Sequence, residues 1–576
     1  MSGNKNQLTG ASVIRKVLQR YGVKTVFALA GASQTHLLDE CDKARMRIVP
    51  TRHESATVGA ADGYSRVTGE IGVAMVNVDQ GMPNAVTGVL TAFEACSPVL
   101  VLVGREPDDW TEPELDNDHD ALPLLRSITK WARTVHSPER LGEYVEAACR
   151  RALSGRQGPV VVAFPKNFLS DPVTPGVELN SPATPPPKPE PAKEDIIGAA
   201  NLLASAEKPM IIAGSGAFRA GAGTQLRNLA DKFGIPVLAH ELARGMVPED
   251  HLIGWSWAVA QTAAKHADVV VWAGARMAKK FGYGLAPRFS TTAKMIQIDI
   301  CPEEIGRSRP VEVGICADAA KCLESLLIAL DDHKVKTFNS SWIKESLRDR
   351  LAAIKNTGLE KDSIHPYRLA REIMSRIPKD AIFVNDGASI LVQAWAAMRI
   401  TVEGGYIDTM PLGSMGMGTP LALGAAAGAK DMAAKTGNGE RPVVMLTGDG
   451  AFGFYPSEFG SAAQAGFSLV CVIANNGGWG NEFHSQPRQI GRTINANFGQ
   501  VYYDHIAKGY GCAGERVDNP SELGPAIDRA LAIRGKPAVV DVIVHDSGFT
   551  SEQSTLLYYD VEKTRGKHFA YEHRGD

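Results

Sequence analysis

Pro442-Val443-Val444-Met445-Leu446-Thr447-Gly448-Asp449-Gly450 and, further on, Leu469-Val470-Cys471-Val472-Ile473-Ala474-Asn475-Asn476-Gly477-Gly478 decide the fold of this chain. Each is a short unbroken apolar run that ends on polar and glycine residues, as a strand buried on both faces of a parallel sheet does. Between them Pro456 can open a helix through Ser457-Glu458-Phe459-Gly460-Ser461-Ala462-Ala463. A strand, a crossover helix and a second strand bring both polar ends to the carboxyl edge of one sheet, where open α/β sheets hold their ligands. Asp449, the Asn476 side chain and the Gly478 carbonyl are three oxygen donors suited to a hard divalent cation such as Mg2+, which keeps further positions for phosphate oxygens. Gly450 and the adjoining Ala451 leave backbone amides open to a diphosphate. Either turn alone has ordinary turn composition. The two together, each closing an apolar strand and 27 residues apart from Asp449 to Asn476, argue for a site.

Working outward, the same alternation of helices and buried strands recurs three times. Residues 1–178 carry strands at Thr25 to Ala30, Gly72 to Val78, Pro98 to Val103 and Pro159 to Phe164. Residues 179–195 hold Pro185-Pro186-Pro187-Lys188-Pro189-Glu190-Pro191, which sustains neither a helix nor a central strand and reads as an extended linker. A second unit, 196–335, has strands near Pro209 to Ala213, Val269 to Ala273 and Met295 to Ile300. A charged helical stretch, 336–364, leads to the third unit, 365–546, whose strands include Ala381 to Val384, Tyr406 to Asp408 and Ala538 to Val544. Residues 547–576 are polar and aromatic and read as a tail or lid. The expectation is three consecutive parallel-sheet α/β domains.

At 576 residues each unit can bury a core of ordinary size. A formal charge of −3 with mixed signs provides no basic stripe for nucleic acid and no polybasic membrane patch, so an anionic ligand must be met locally. The eight cysteines are scattered without a CxxC pair and read as reduced thiols of a cytoplasmic protein. No apolar run approaches membrane-spanning length, and Met1 to Gln7 lack a signal-peptide core.

Three further motifs join the metal turn. Arg52-His53-Glu54-Ser55-Ala56 places a carboxylate at the start of an Ala/Gly-rich helix, where by itself it would simply satisfy the helix dipole. Gly413-Ser414-Met415-Gly416-Met417-Gly418 lets the backbone pass close to a flat ring. Asn385-Asp386-Gly387-Ala388-Ser389 closes another strand with amides and a hydroxyl able to meet phosphate. With these in place the chain resembles, over nearly its whole length, the thiamine-diphosphate-dependent superfamily of acetolactate synthases and 2-oxoacid decarboxylases. The resemblance implies a pyrimidine-binding, a central and a diphosphate-binding domain. It makes Glu54 the residue that bonds the pyrimidine nitrogen and so activates the cofactor, the Gly413 carbonyl the partner of the 4'-amino group, and Met415 the wedge beneath the bent cofactor. Asp386, Gly387, Ala388, Ser389, Gly450 and Ala451 fall at the diphosphate, and Asp449, Asn476 and Gly478 at Mg2+. Asp79-Gln80-Gly81-Met82-Pro83-Asn84 stands where most relatives have a Gly-Pro-Gly turn, which places Gln80 and Asn84 near the reacting group but departs from the pattern.

Within the superfamily the middle unit and the Asn385-Asp386-Gly387-Ala388 turn are similar to the oxalyl-CoA decarboxylases and 2-hydroxyacyl-CoA lyases. In that branch the middle unit can hold ADP, and Gly214, Arg276 and Asp299 match the positions that would meet it. A tight turn, a structural arginine and a strand-end aspartate are the plain alternatives. Glu482, six residues past Asn476, falls where pyruvate-type decarboxylases and the actinobacterial type of 2-hydroxyacyl-CoA lyase carry a proton-transferring glutamate. The resemblance thus implies a lyase that cleaves a short 2-hydroxyacyl-CoA to formyl-CoA and a ketone or aldehyde, with Glu482 moving the proton. Tyr558, Lys563, Arg565 and Lys567 of the tail would meet CoA phosphates. One alternative is a 2-oxoacid decarboxylase or acetolactate-type carboligase acting on a free acid, which a flavin would favour, although FAD is not expected. Another is a non-catalytic thiamine-diphosphate binder. Glu54 and Asp449 reach opposite ends of one cofactor from different units. In the family this is done across two subunits, so a dimer or tetramer is expected.

Overall fold

A computed structural model describes residues 8–110, 119–174, 176–359 and 362–545. Three parallel sheets of six strands follow one another along the chain. The first holds β1–β6 (Thr25–Ala28, Arg47–Pro50, Gly72–Asn77, Val99–Arg105, Trp131–Thr134 and Val160–Pro165) in the order β2-β1-β3-β4-β6-β5. The second holds β7–β12 (Pro209–Ala213, Val237–Ala239, Gly254–Ser256, Val269–Ala273, Lys294–Asp299 and Val313–Cys316) in the order β12-β11-β10-β7-β8-β9. The third holds β13–β18 (Ile382–Asn385, Tyr406–Asp408, Val443–Gly448, Leu469–Asn475, Ala513–Val517 and Ala538–Ile543) in the order β14-β13-β15-β16-β18-β17. The outer two sheets share one topology, and the middle one has the order of a dinucleotide-binding fold.

The central strands are buried along nearly their whole length, which is why unbroken apolar runs encode them. In the third sheet the chain reverses its direction of winding between β13 and β15. At that switch point the carboxyl ends diverge and leave a crevice. The turn after β13 and the turn after β15, at Gly387 and Asp449, therefore face one opening.

The first and third units meet along two helices, Glu54–Thr68 and Gly418–Thr436. Their backbones come so close that a Cβ on Gly63 would lie 2.2 Å from the Leu421 carbonyl oxygen, and one on Gly424 1.9 Å from that of Ala60. Only glycine fits at either place. Beside this seam the Asp431 carboxylate, on the second of these helices, accepts hydrogen bonds from Thr25 Oγ1 at 2.6 Å and Tyr64 OH at 3.0 Å and pairs with Arg47. The middle unit is tied in by a buried ion pair, Arg244 Nε to Glu249 Oε1 at 2.7 Å, whose carboxylate also accepts the Ile400 amide at 3.0 Å. Such a pair contributes little net stability but fixes which groups face each other, because either charge left alone would be costly.

The proline-rich stretch is extended as expected, and it is more than a tether. The Pro189 carbonyl accepts the Asp318 amide at 3.0 Å, and Lys188 Nζ donates to the Ala220 carbonyl at 2.7 Å. These contacts hold residues 185–189 against the middle unit as one wall of a cavity. All eight cysteines are free; five are buried, Cys96 and Cys301 are half-buried and Cys316 is exposed. Among the described residues no helix is long and apolar enough to cross a membrane.

Candidate active site

The crevice at the third sheet's switch point is a cavity of about 370 Å³, and every residue lining it lies between 366 and 544. Gly387, Ala388 and Ser389 form one side, Met415 another, and Asp449, Gly450 and Ala451 the floor. Asn476, Gly478, Trp479 and Glu482 close the far side.

Asp449 is only 2% exposed, and its partners are backbone amides: Gly450 N donates to Oδ1 at 2.9 Å and Gly478 N to Oδ2 at 3.1 Å. Asn476 Oδ1 accepts from the same Gly478 amide at 3.3 Å, so both side-chain oxygens converge on one point. Burial pushes the Asp449 carboxyl up to about 7, and the amides of Gly450, Gly477 and Gly478 only partly offset this. A buried carboxylate balanced by amides, beside a neutral amide oxygen and a glycine carbonyl, is a donor set that a hard cation would complete. The residues present therefore fit Mg2+, with phosphate oxygens making up the rest. Behind them Asp541 accepts from Asn475 Nδ2 at 2.9 Å and pairs with Arg516 Nη1 at 3.0 Å, which pins the end of β16.

Gly450 carries no side chain for a second reason: a Cβ there would lie 2.6 Å from the Trp479 ring. That indole packs edge-on to Phe498 at 4.7 Å between centroids and caps the turn. The Gly480–Ile490 helix begins directly after Trp479 and puts Glu482 in its first turn, half-buried in the cavity wall. Glu482 Oε2 accepts from Ser485 Oγ at 3.1 Å and from Gln486 Nε2 at 3.3 Å, which steady the carboxylate. Asn481, beside it, also lines the cavity.

Asp386 behaves differently from a phosphate contact. Its carboxylate is fully buried and does not line the cavity. Oδ1 accepts the Gly387 amide at 2.6 Å, and Oδ2 accepts the amides of Gly416 and Gly418 at 3.0 and 2.9 Å. Burial pushes this carboxyl up to about 6 against those same amides.

Glu54, Gln80 and Asn84 lie outside this cavity, and Glu54 and Asn84 meet each other. Asn84 Nδ2 donates to Glu54 Oε2 at 3.1 Å, and Ser55 Oγ donates to the Asn84 carbonyl at 2.5 Å. A Cβ on Gly81 would lie 3.4 Å from Glu54 Cγ. Residues 79–84 are not a turn but lie in the first turns of the Val78–Glu94 helix, which leaves Gln80 exposed at its start. None of the three lines the cavity of its own chain, and neither does Gly413, which is exposed at the mouth of its loop.

A second cavity, of about 340 Å³, opens at the carboxyl edge of the middle sheet between β7 and β10. Gly214, Arg276 and Asp299 all line it, with Glu94, Cys96 and Arg156 of the first unit and Pro185 to Pro189 opposite. Arg276 Nη2 donates to the Glu94 carbonyl at 2.9 Å, and Asp299 accepts the Cys301 amide at 2.9 Å. At its inner end Glu241, in a left-handed conformation with φ of 50°, pairs with Lys280 and accepts from Ser215 Oγ at 2.9 Å. Nothing in the sequence pattern around Glu241 marked this cluster. Tyr558, Lys563, Arg565 and Lys567 lie outside the described residues.

Three sheets of this order, with a buried carboxylate and a glycine-rich turn facing one crevice at the switch point of the last, are the frame of an enzyme that holds a diphosphate cofactor. Residues 8–124 match the N-terminal thiamine pyrophosphate binding domain, 196–326 the central domain and 387–542 the C-terminal thiamine pyrophosphate binding domain. The chain belongs to the thiamine pyrophosphate enzyme family. It is 32% identical over 554 residues to the acetolactate synthase large subunit IlvG of Mycobacterium tuberculosis, covering 94% of this chain and 97% of that one. It is 26% identical over 559 residues to the 2-hydroxyacyl-CoA lyase 1 of Mus musculus, covering 94% and 95%. In fold it is similar to a structure provisionally described as a thiamin diphosphate-dependent enzyme from Mycobacterium smegmatis, with a TM-score of 0.78, 23% identity and coverage of 93% and 99%.

Proposed function

We propose that this enzyme makes or breaks the carbon–carbon bond beside the carbonyl of a free 2-oxoacid, as a decarboxylase or an acetolactate-type carboligase. The observation that carries this reading is the identity of 32% over 94% of the chain with acetolactate synthases. That relation favours a free acid over the acyl-CoA substrate that the middle unit suggested. Thiamine diphosphate, when bound, supplies a nucleophilic thiazolium carbon and an electron sink for the charge left on the substrate carbon.

The chain's own residues divide the remaining work. Asp449, Asn476 and Gly478 would hold Mg2+ and through it the diphosphate, and the turn at Gly387 to Ser389, which borders the same cavity, would offer its amides to the phosphates. Met415 supports the cofactor's bend from the loop wall. Glu482, steadied by Ser485 and Gln486, takes or returns a proton at the substrate's reacting centre. Glu54 meets the pyrimidine nitrogen. The cavity of one chain is lined from 366 to 544 alone, which supports a reading in which Glu54 comes from a second copy and the working unit is a dimer at least.

Cleavage of a 2-hydroxyacyl-CoA is the second reading. It is favoured by the cavity of the middle unit, where Gly214, Arg276 and Asp299 converge as a site for ADP would require. Purified protein with thiamine diphosphate and Mg2+ separates the two. Carbon dioxide released from pyruvate or phenylglyoxylate, without formyl-CoA from 2-hydroxyacyl-CoAs, supports the first. Formyl-CoA alone transfers the assignment to the second, and neither product sinks both.

A further inference from the structure

Asp386 is a carboxylate sealed inside the third unit, and its hydrogen-bond partners among the described residues are backbone amides. Among the described residues no ion pair reaches it, and the nearby carboxylate of Asp408 acts on it with the same sign. A buried anion without a cation is costly, and it persists where it holds something that would not hold itself. The loop it holds is such a segment. Gly416 sits at φ of 90°, a conformation that a side chain would strain, and the loop belongs to no strand. One oxygen, Oδ2, takes two amides of this loop, while Oδ1 takes the amide of Gly387 on the turn after β13. The single carboxylate thus ties together two walls of the cavity, the turn of residues 387–389 and the loop that presents Met415. The fit is tight, since a Cβ on Gly418 would lie 2.4 Å from Asp386 Cβ.

The geometry points to Asp386 as a positioning residue that sets where Met415 stands against the cofactor, without itself lining the cofactor's cavity. It acts mainly on the ring end of the ligand, through two amides of the Met415 loop against one of the Gly387 turn, and leaves the metal to Asp449. This inference rests on the cofactor reading above only in naming what Met415 supports.

The test uses the full chain and the variant Asp386→Asn, which keeps the volume but leaves one acceptor oxygen for three amides that two oxygens held. Hydrogen exchange is followed by mass spectrometry on peptides spanning 413–419. Affinity is measured by tryptophan fluorescence for two probes, thiamine diphosphate and inorganic diphosphate, each with Mg2+. The expected result is exchange at the loop faster by about tenfold or more, and thiamine diphosphate weakened by a similar factor. Inorganic diphosphate is weakened clearly less, by about threefold at most, since only the Gly387 side of its site is touched while Asp449, Asn476 and Gly478 are left intact. Equal weakening of both probes, or unchanged exchange, would overturn the assignment, because a merely structural role moves both together and an idle carboxylate moves neither. If Asp386→Asn does not fold, Gly418→Ala presses on the same carboxylate and is expected to give the same split. A wild-type protein that takes inorganic diphosphate but not thiamine diphosphate would sink the cofactor reading, while the exchange rates would still decide whether Asp386 holds the loop.

Discussion

Stripping the metal should make this protein less stable as the pH rises, and the cause is a single side chain. Asp449 is shifted by burial from 3.8 to about 7 in the metal-free fold. A group raised in the folded state stabilises fully below its unfolded value and loses that contribution as the pH climbs through the folded value. The window therefore runs from about pH 4 to about pH 7, and the contribution lost across it is roughly 4 kcal/mol from the size of the shift. Mg2+ reverses the trend, since it binds only the ionised carboxylate and displaces the proton. Near pH 6 about nine tenths of the Asp449 carboxyls carry a proton, and near pH 8 about one tenth, so the apparent metal affinity should tighten by about tenfold between them. Calorimetric titration of Mg2+ with diphosphate, in buffers of different ionisation enthalpy, measures both the affinity and the proton released. Scanning calorimetry of metal-free protein supplies the stability arm. Asp449→Asn should melt higher than metal-free wild type at pH 8, match it at pH 4, and fail to bind the metal at either. An Mg2+ affinity that stays flat between pH 6 and pH 8 would refute the argument.

Other perturbations address separate parts of the molecule. Glu54→Gln should retain thiamine diphosphate and Mg2+ within a few-fold, by fluorescence titration, while turnover drops by about a hundredfold or more; normal turnover would remove Glu54 from the chemistry. Mixing Glu54→Gln with Asp449→Asn, each inactive alone, should recover about a quarter of wild-type activity after subunit exchange, because a mixed dimer regains one intact site of two. No recovery would mean that each chain completes its own site. Gly424→Ala puts a methyl against the Ala60 carbonyl oxygen and should cost about 1–3 kcal/mol in urea unfolding, and a neutral result would contradict the close helix contact.

The strands legible in the sequence are mostly those with neighbours on both sides. Runs such as Val99 to Val103 and Leu469 to Ala474 are apolar at every position because they are covered on both faces. The strands left unread, β2, β5, β8, β9, β12 and β17, lie at sheet edges or next to them. Their patterns are short or half-exposed, as in Arg47–Pro50 and Ala513–Val517, and an edge strand lacks the second neighbour that would demand an apolar signature. That Asp449, Asn476, Gly478 and Glu482 border one crevice was legible, because the ends of two neighbouring strands and the helix that follows fix their direction. The role of Asp386 was not, since a buried carboxylate gripping amides thirty residues away has the same local sequence as one that faces a phosphate. Residues 79–84 stand where the resemblance implies a turn, yet they form the start of a helix that packs against the Glu54 helix.

The glycine seam between the Glu54–Thr68 and Gly418–Thr436 helices has a bearing on how this chain can be recombined with its relatives. One helix begins at Glu54 and the other emerges from the Met415 loop, and neither surface tolerates even one methyl at its contact. A chimera that joins one relative's first unit to another's third will misplace Glu54 and Met415 unless both halves of that contact travel together as a single cassette.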